Sequence, residues 1–154
     1  MNRSDRAGHV VLDTNVVLDL LVFDDPSTQP LKAALSAGAL VWLATPAMRD
    51  ELQRVLTYPQ IAARLQMRNR SGDAVLAWFD RFSQPHTPGA ACPVACTDKD
   101  DQKFVDLAVA RRADLLSKDH AVLRLRKRLA SHGVLVQAPG ATARATLAMA
   151  AGPV

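Results

Sequence analysis

The sequence has two cysteines, few aromatic side chains and no long apolar run. No apolar stretch approaches the roughly 20 residues of a transmembrane helix, and the polar start MNRSDRAG lacks a hydrophobic signal region. Cys92 and Cys96 lack the two-residue gap of zinc sites and have no histidine close by, which argues against a metal knuckle. We therefore expect a cytoplasmic protein with reduced thiols and no membrane segment.

The charge of the chain is unevenly distributed. The formal net charge is +4, and the excess lies in residues 78–154, which carry eleven basic and seven acidic side chains. The densest basic cluster consists of Arg124, Arg126, Lys127 and Arg128. This pattern favours a polyanionic partner, although a solvated helix face explains the cluster equally well.

Short apolar runs alternate with helical patterns along the 154 residues. The strand-like runs are 10–12, 39–44, 114–117 and 134–137, and the connection 84–97 has room for one more short strand. Helical patterns cover 16 to about 24, 31–37, 46 to about 57, 60–67, 72–82, 101–112 and a basic segment that ends at His132-Gly133. This alternation predicts an α/β fold, with a parallel sheet covered on both faces. We expect one domain over 1–154 with a core of about 9–137, and the role of the tail 138–154, helical from Ala141, is left open.

Four carboxylates occupy equivalent places in this pattern. Asp13 ends the first strand, Glu51 lies in the helix after the second, Asp101 starts a helix, and Asp119 follows the third main strand. Carboxyl ends of parallel strands meet at one edge of a sheet. Converging carboxylates repel one another unless a cation neutralises them, and Mg²⁺ prefers carboxylate, water and phosphate oxygens. Two such ions about 3.5–4 Å apart would activate water for attack on a phosphodiester.

Each carboxylate also has a purely structural explanation. These explanations are N-capping for Asp13, Asp98, Asp100, Asp101 and Asp119, and a solvated helix face for Glu51. For Glu51, Asp101 and Asp119 taken singly, the structural explanation is the simpler one. The argument for a site therefore depends on the joint order and spacing of the four.

Three segments in order, HVVLDTNVVLDLL, TPAMRDELQRVL and CTDKDDQKFVDLAVARRADLLSKDHAVL, resemble the successive motifs of PIN-domain proteins, above all the VapC-type toxin branch. The resemblance extends from about residue 9 to 137. It places the four acidic positions of the family on Asp13, Glu51, Asp101 and Asp119, and its small polar positions on Asn15 and Ser117. The chain departs from the usual pattern in three ways. Ser117 stands where the family often has Thr, and Lys118-Asp119-His120 is less typical after that strand. The C-terminal tail is also poorer in large apolar residues than usual.

The resemblance implies a three-layer α/β/α sandwich with a mostly parallel sheet of four or five strands. It also implies a Mg²⁺- or Mn²⁺-dependent endoribonuclease that acts as the toxin of a toxin–antitoxin pair, forms a homodimer and is silenced by a small antitoxin protein. Asp13, Asp101 and Asp119 would bind metal, and Glu51 would hold a second ion or orient the attacking water. Asn15 would hydrogen-bond to Asp13 or a bound water, and Ser117 would orient a carboxylate or a phosphate.

An RNA substrate must be attracted to an acidic site by nearby basic side chains. The candidates near the expected cleft are Lys99, Lys103, Arg111, Arg112 and Lys118. Few aromatic side chains are available to stack on unpaired bases; beyond the phenylalanines they are Trp42, Tyr58 and Trp78.

Two other functions fit parts of the pattern. LDTNV partly resembles the strand-end D-x-D-x-T of haloacid-dehalogenase-type phosphatases, but that chemistry needs a proton-transferring Asp where this chain has Asn15. A non-catalytic PIN scaffold that binds RNA or protein is the second alternative. Decayed scaffolds would be expected to lose carboxylates, and this chain retains all four.

Overall fold

The computed structural model describes residues 8–139. Its centre is a five-stranded sheet in the order β3-β2-β1-β4-β5, in which every neighbouring pair is parallel. The strands are β1 (His9–Leu12), β2 (Val41–Ala44), β3 (Ser83–Pro85), β4 (Asp114–Leu116) and β5 (Val136–Gln137). The expected α/β fold is confirmed, and β3 is the extra strand allowed at the start of the connection 84–97. The helix expected from Ala141 falls outside the described residues.

Eight α-helices connect and cover the strands in the described part of the chain. They are α1 (Thr14–Leu21), α2 (Gln29–Ser36), α3 (Pro46–Val55), α4 (Pro59–Met67), α5 (Gly72–Phe82), α6 (Gln102–Arg111), α7 (His120–Leu123) and α8 (Arg126–Ala130). Short 3₁₀ turns, Pro26–Thr28 and Lys99–Asp101, precede α2 and α6.

Some element boundaries differ from the sequence-based expectation. The first helix ends at Leu21, before the left-handed backbone of Asp24 (φ 48°). The single basic helix expected around residues 123–129 is interrupted, because the Leu125 N–H bonds to the Val122 carbonyl in a tight turn between α7 and α8. The last strand contains only two of the four expected residues.

Both faces of the sheet are covered, as the burial of the last three residues of β1 shows. Val10, Val11 and Leu12 are each at most 2% exposed although consecutive strand residues point to opposite faces. Right-handed crossovers put α1–α5 on one face and α6–α8 on the other, giving three layers. On the first face Trp42 meets Phe79 edge to face, with ring centroids 4.9 Å apart. No helix within residues 8–139 is long and apolar enough to cross a bilayer.

The order of the strands determines where a ligand can bind. From β1 the chain builds outward to β2 and β3, then returns to the other side of β1 to form β4 and β5. The switch in direction therefore lies between β1 and β4. Ligands of open α/β sheets bind beyond the carboxyl ends of strands at such a switch point, and Asp13 and Ser117 are the first residues after these two strands.

Candidate active site

Asp13 is a buried carboxylate at the end of β1, only 2% exposed. It is the N-cap of α1, where its Oδ1 accepts a hydrogen bond from the Val16 N–H at 2.9 Å. Burial raises the pKa of Asp13, and the hydrogen bonds from Ser117 and Val16 oppose that rise. The capping explanation is therefore correct, yet Asp13 also lines the cleft described below.

Ser117 joins the ends of the two central strands. Its buried hydroxyl donates to Asp13 Oδ2 and accepts from the Asp119 N–H at 3.0 Å. Beside it, Asp119 Oδ1 accepts from the Ala121 N–H at 2.8 Å and caps α7. Ser117 thus orients a carboxylate directly and fixes the backbone of a second acidic residue.

The tightest acidic group contains Asp98, Asp101 and Asp119, whose ligand atoms lie within 4.8 Å of one another. Asp101 Oδ2 is buried and has no hydrogen-bond donor among residues 8–139. Burial, a hydrogen bond to Asp119 and the charges of Asp119, Asp98 and Asp13 raise the pKa of Asp101 to about 7. The same hydrogen bond lowers the pKa of Asp119, which is partly buried. One proton is therefore shared by this pair, mainly on Asp101.

Glu51 lies on the second turn of α3 and lines the same cleft as that group. Its Oε1 accepts a hydrogen bond from the Thr14 hydroxyl at 2.6 Å and pairs with the Lys103 ammonium at 3.1 Å. Thr45 starts this helix, its hydroxyl accepting from the Met48 N–H at 3.4 Å. Glu51 is thus held by a hydroxyl and a cation.

All four predicted carboxylates line one cleft of about 320 Å³. Thr14, Asn15, Asp98, Asp100 and Tyr58 contribute to the same lining. Asn15 is exposed there, and within residues 8–139 its amide makes no hydrogen bond to Asp13. Ser117, fully buried, lies beneath the cleft floor.

The loop that brings Asp98 to the cleft is fastened to α6. Gln102 Oε1 accepts from the Cys96 N–H at 2.6 Å, and its Nε2 donates to the Val94 carbonyl at 2.9 Å. Asp106, one turn further along α6, accepts from the Cys92 N–H at 3.2 Å and from Gln102 Nε2 at 2.9 Å. Both cysteines are free, and burial raises their pKa values.

The predicted RNA-binding residues are divided between two ends of the molecule. Lys99 and Lys103 flank the cleft, and Lys118 pairs with the buried Asp19 at 2.5 Å. Arg111 and Arg112 do not lie near the cleft, and that expectation is wrong. They end α6, about 15 Å of helix from its acidic start, because α6 runs back against the strand direction.

The fold also determines which of the other candidate side chains can reach the site. Arg124 is near enough to Asp119 to help lower the pKa of that carboxyl. Trp42 is 1% exposed and cannot stack on a base, whereas Tyr58, 48% exposed, lines the cleft.

Three features of the site were not predicted from the sequence. These are Thr14, Asp98 as a member of the tight acidic group, and Lys103 as the partner of Glu51. The available signals were Thr14 beside Asp13 and the repeated acids of Asp98-Lys99-Asp100-Asp101. Neither signal specifies the direction of a side chain.

The acidic group fits a hard divalent cation. The donors are carboxylate oxygens, which Mg²⁺ and Mn²⁺ favour. A cation beside Asp101 Oδ2 would contact that buried atom and offset both the burial and the neighbouring negative charges that raise the pKa of Asp101. Asp98, Asp101 and Asp119 are the residues that could hold it, with Asp13 in the same cleft.

A family model described as PIN domain matches residues 9–121. Among curated proteins, no relative is detected by sequence. Among solved structures, the chain is similar to a crystal structure of VapBC2 from Rickettsia felis bound to a DNA fragment from their promoter. The TM-score is 0.57 at 13% identity, over 83% of this chain and 96% of that chain. At this identity the likeness concerns the fold.

Proposed function

Because the chain belongs to the PIN-domain family, we propose that it is a divalent-metal-dependent endoribonuclease, the toxin of a toxin–antitoxin pair. One observation carries the proposal: Asp98, Asp101 and Asp119 lie within 4.8 Å of one another in a cleft, and within residues 8–139 no N–H or hydroxyl group donates to the buried Asp101 Oδ2. Such an arrangement is costly for a fold to maintain without a cation.

The roles of the side chains follow from their contacts. Asp98, Asp101 and Asp119 would hold Mg²⁺ or Mn²⁺, which supplies charge neutralisation at the phosphate and an acidified water. Asp101 must lose its proton before it can bind a cation, so its raised pKa sets the pH at which the site becomes competent. Asp13, held by Ser117, adds a carboxyl group to the cleft. Glu51 and Asn15 line the same cleft, where they would orient a water or a phosphate of the substrate.

RNA is the substrate that the exposed basic side chains favour. Lys103 and Lys118 already pair with Glu51 and Asp19, so less of their charge is available to a phosphate backbone. Five exposed basic side chains continue from the cleft rim and form no ion pair in the described chain. They are Lys99, Arg124, Arg126, Lys127 and Arg128. We propose that RNA enters along α7 and α8, towards Asp119. Each phosphate contact would steepen the salt dependence of binding.

The proposed partners are a small cognate antitoxin and a second copy of this chain, in the cytoplasm. The shared fold with VapBC2 supports the antitoxin, and the VapC-type motifs support both partners. Co-expression with any small reading frame encoded next to this gene, followed by co-purification and rescue of growth, would test the toxin role. An expressed chain that does not impair growth and binds no such partner would remove it.

The nuclease activity is tested by cleavage of a mixed RNA pool with Mn²⁺. Asp101→Asn and Asp119→Asn should abolish cleavage, and Asp50→Asn should not. Asp50 is an exposed carboxylate next to Glu51 on α3 that does not line the cleft. Equal cleavage by wild type and the three variants would refute the assignment. RNA and Mn²⁺ binding without any cleavage would favour the non-catalytic scaffold.

A further inference from the structure

One carboxylate of the cleft pairs with a lysine of the same chain, whereas three others have no such partner in the described chain. On one side, Lys103 Nζ lies 3.1 Å from Glu51 Oε1. On the other, none of Asp98, Asp101 and Asp119 forms an ion pair with a basic side chain of the described chain. The four predicted metal ligands are therefore not equivalent, since Glu51 already has a positive partner.

We propose that the Lys103 ammonium replaces a second divalent ion at Glu51, so that the cleft binds a single divalent ion on Asp98, Asp101 and Asp119. This inference rests on the proposed metal site and specifies its stoichiometry. Lys103 is a positioning residue, because it acts on the site through the Glu51 carboxylate and the charge of the cleft.

The contacts of Lys103 fix its position independently of Glu51. Its ammonium also donates to the Asp100 main-chain carbonyl, three residues earlier, in the turn that leads into α6. Its side chain is 27% exposed and its Nζ lies 4.7 Å from the Phe104 ring centroid. The cation is thus attached to the same helix start that carries Asp101.

The Glu51 carboxylate is equally constrained. Its Oε1 accepts both the Thr14 hydroxyl and the Lys103 ammonium, while its side chain is only 16% exposed. A divalent ion at this oxygen would have to share it with a positive charge 3.1 Å away. With a metal–oxygen distance of about 2.1 Å, the ion and the ammonium would lie within about 5 Å of each other, and two positive charges so close in a partly buried site repel. A second ion is therefore excluded while Lys103 stays charged and in place.

Counting bound ions tests the proposal without reference to catalysis. Isothermal titration with Mn²⁺ at pH 8, on the full-length metal-free chain, should give one ion for wild type. Lys103→Met should gain a second site, at least tenfold tighter than any second site of wild type. Lys103→Arg keeps the charge and should stay at one ion. Lys99→Met, an exposed lysine at the same helix start, is the control for simple loss of charge.

A double variant keeps the test decisive if Lys103→Met alters the fold. Lys103→Met combined with Glu51→Gln should return to one ion, because the ligand of the second site is gone. Two equal sites in wild type, or one site in a folded Lys103→Met protein, would overturn the inference. If the stoichiometry changes as expected but the wild-type chain does not cleave RNA, the nuclease proposal fails and the one-ion inference stands. A wild-type chain that binds no Mn²⁺ contradicts both.

Discussion

The Ser117 hydroxyl donates to the buried carboxylate of Asp13, 104 residues earlier in the chain. The same oxygen accepts the Asp119 N–H at 3.0 Å. One small side chain therefore fixes the two central strand ends to each other and sets the floor of the acidic cleft.

Ser117→Ala should destabilise the protein by about 1–3 kcal/mol, because it leaves a buried acceptor without its donor. The pKa of Asp13 should rise further, since the Ser117 hydrogen bond now opposes the effect of burial. Urea unfolding at pH 8 measures the first effect. Ser117→Thr retains the hydroxyl and serves as control; an alanine variant as stable as wild type would show that the bond contributes little.

Asp101→Asn should abolish Mn²⁺ binding while leaving the metal-free protein at least as stable as wild type at pH 8. The amide removes a partly buried negative charge that faces Asp98 and Asp119. Thermal melts with and without Mn²⁺ should therefore show a metal-induced rise in Tm for wild type and Asp50→Asn only. A similar rise in the Asp101→Asn protein would contradict the assigned ligand set.

Stability without metal should fall as pH rises from about 4 to 7. In this window Asp101 keeps its proton in the folded chain but has lost it in the unfolded chain. The folded state then binds more protons, so the free energy of unfolding decreases with pH, and the contribution of Asp101 levels off above 7. The raised pKa values of Asp13 and Asp114 act in the same direction, and the lowered pKa of Asp119 contributes only below about 4. Denaturation curves at several pH values would measure this slope, which Asp101→Asn should reduce.

Mn²⁺ affinity should rise with pH through 7 and then level off. Below pH 7 the metal must displace the proton of Asp101, which weakens binding by up to about tenfold per pH unit. Titration calorimetry at pH 6 and 8 in two buffers would also detect the released proton. A constant affinity without proton release would show that Asp101 is already ionised.

Arg124→Gln should weaken RNA binding and lower the slope of log affinity against log salt by about 0.7 for a single strand. Arg124 lies near Asp119, whereas Arg111 lies at the far end of α6, so Arg111→Gln is the matched control. Filter binding of an inactive Asp101→Asn background over a salt series gives both slopes. Equal losses in the two variants would place the RNA elsewhere on the surface.

The sequence was sufficient to predict that Asp13, Glu51, Asp101 and Asp119 meet, because strand order and helix starts bring them to one sheet edge. It could not predict which carboxylates would be closest. Asp98 belongs to the tight acidic group because of the direction of its side chain. Glu51 does not belong to it, and it pairs instead with Lys103 on a different helix. These contacts join elements far apart in the chain, so local patterns do not encode them.

For the basic residues, closeness in the sequence did not predict closeness in space. Arg111 and Arg112 follow the acidic start of α6 closely in sequence, which suggested closeness to the cleft. A helix of ten residues is long enough to carry its last side chains to the far edge of the sheet. Arg124 is more distant in the sequence from Asp101, yet it lies nearer the acidic group because α7 begins at Asp119.

The fastening of the loop by Gln102 and Asp106 has a mechanical consequence. Asp98 and Asp101 are carried by α6 and its attached loop, whereas Asp119 belongs to the end of β4. Sliding of α6 along the sheet would therefore displace two carboxylates together and leave the third behind. A partner protein that bound to this helix and moved it would separate Asp98 and Asp101 from Asp119 without entering the cleft.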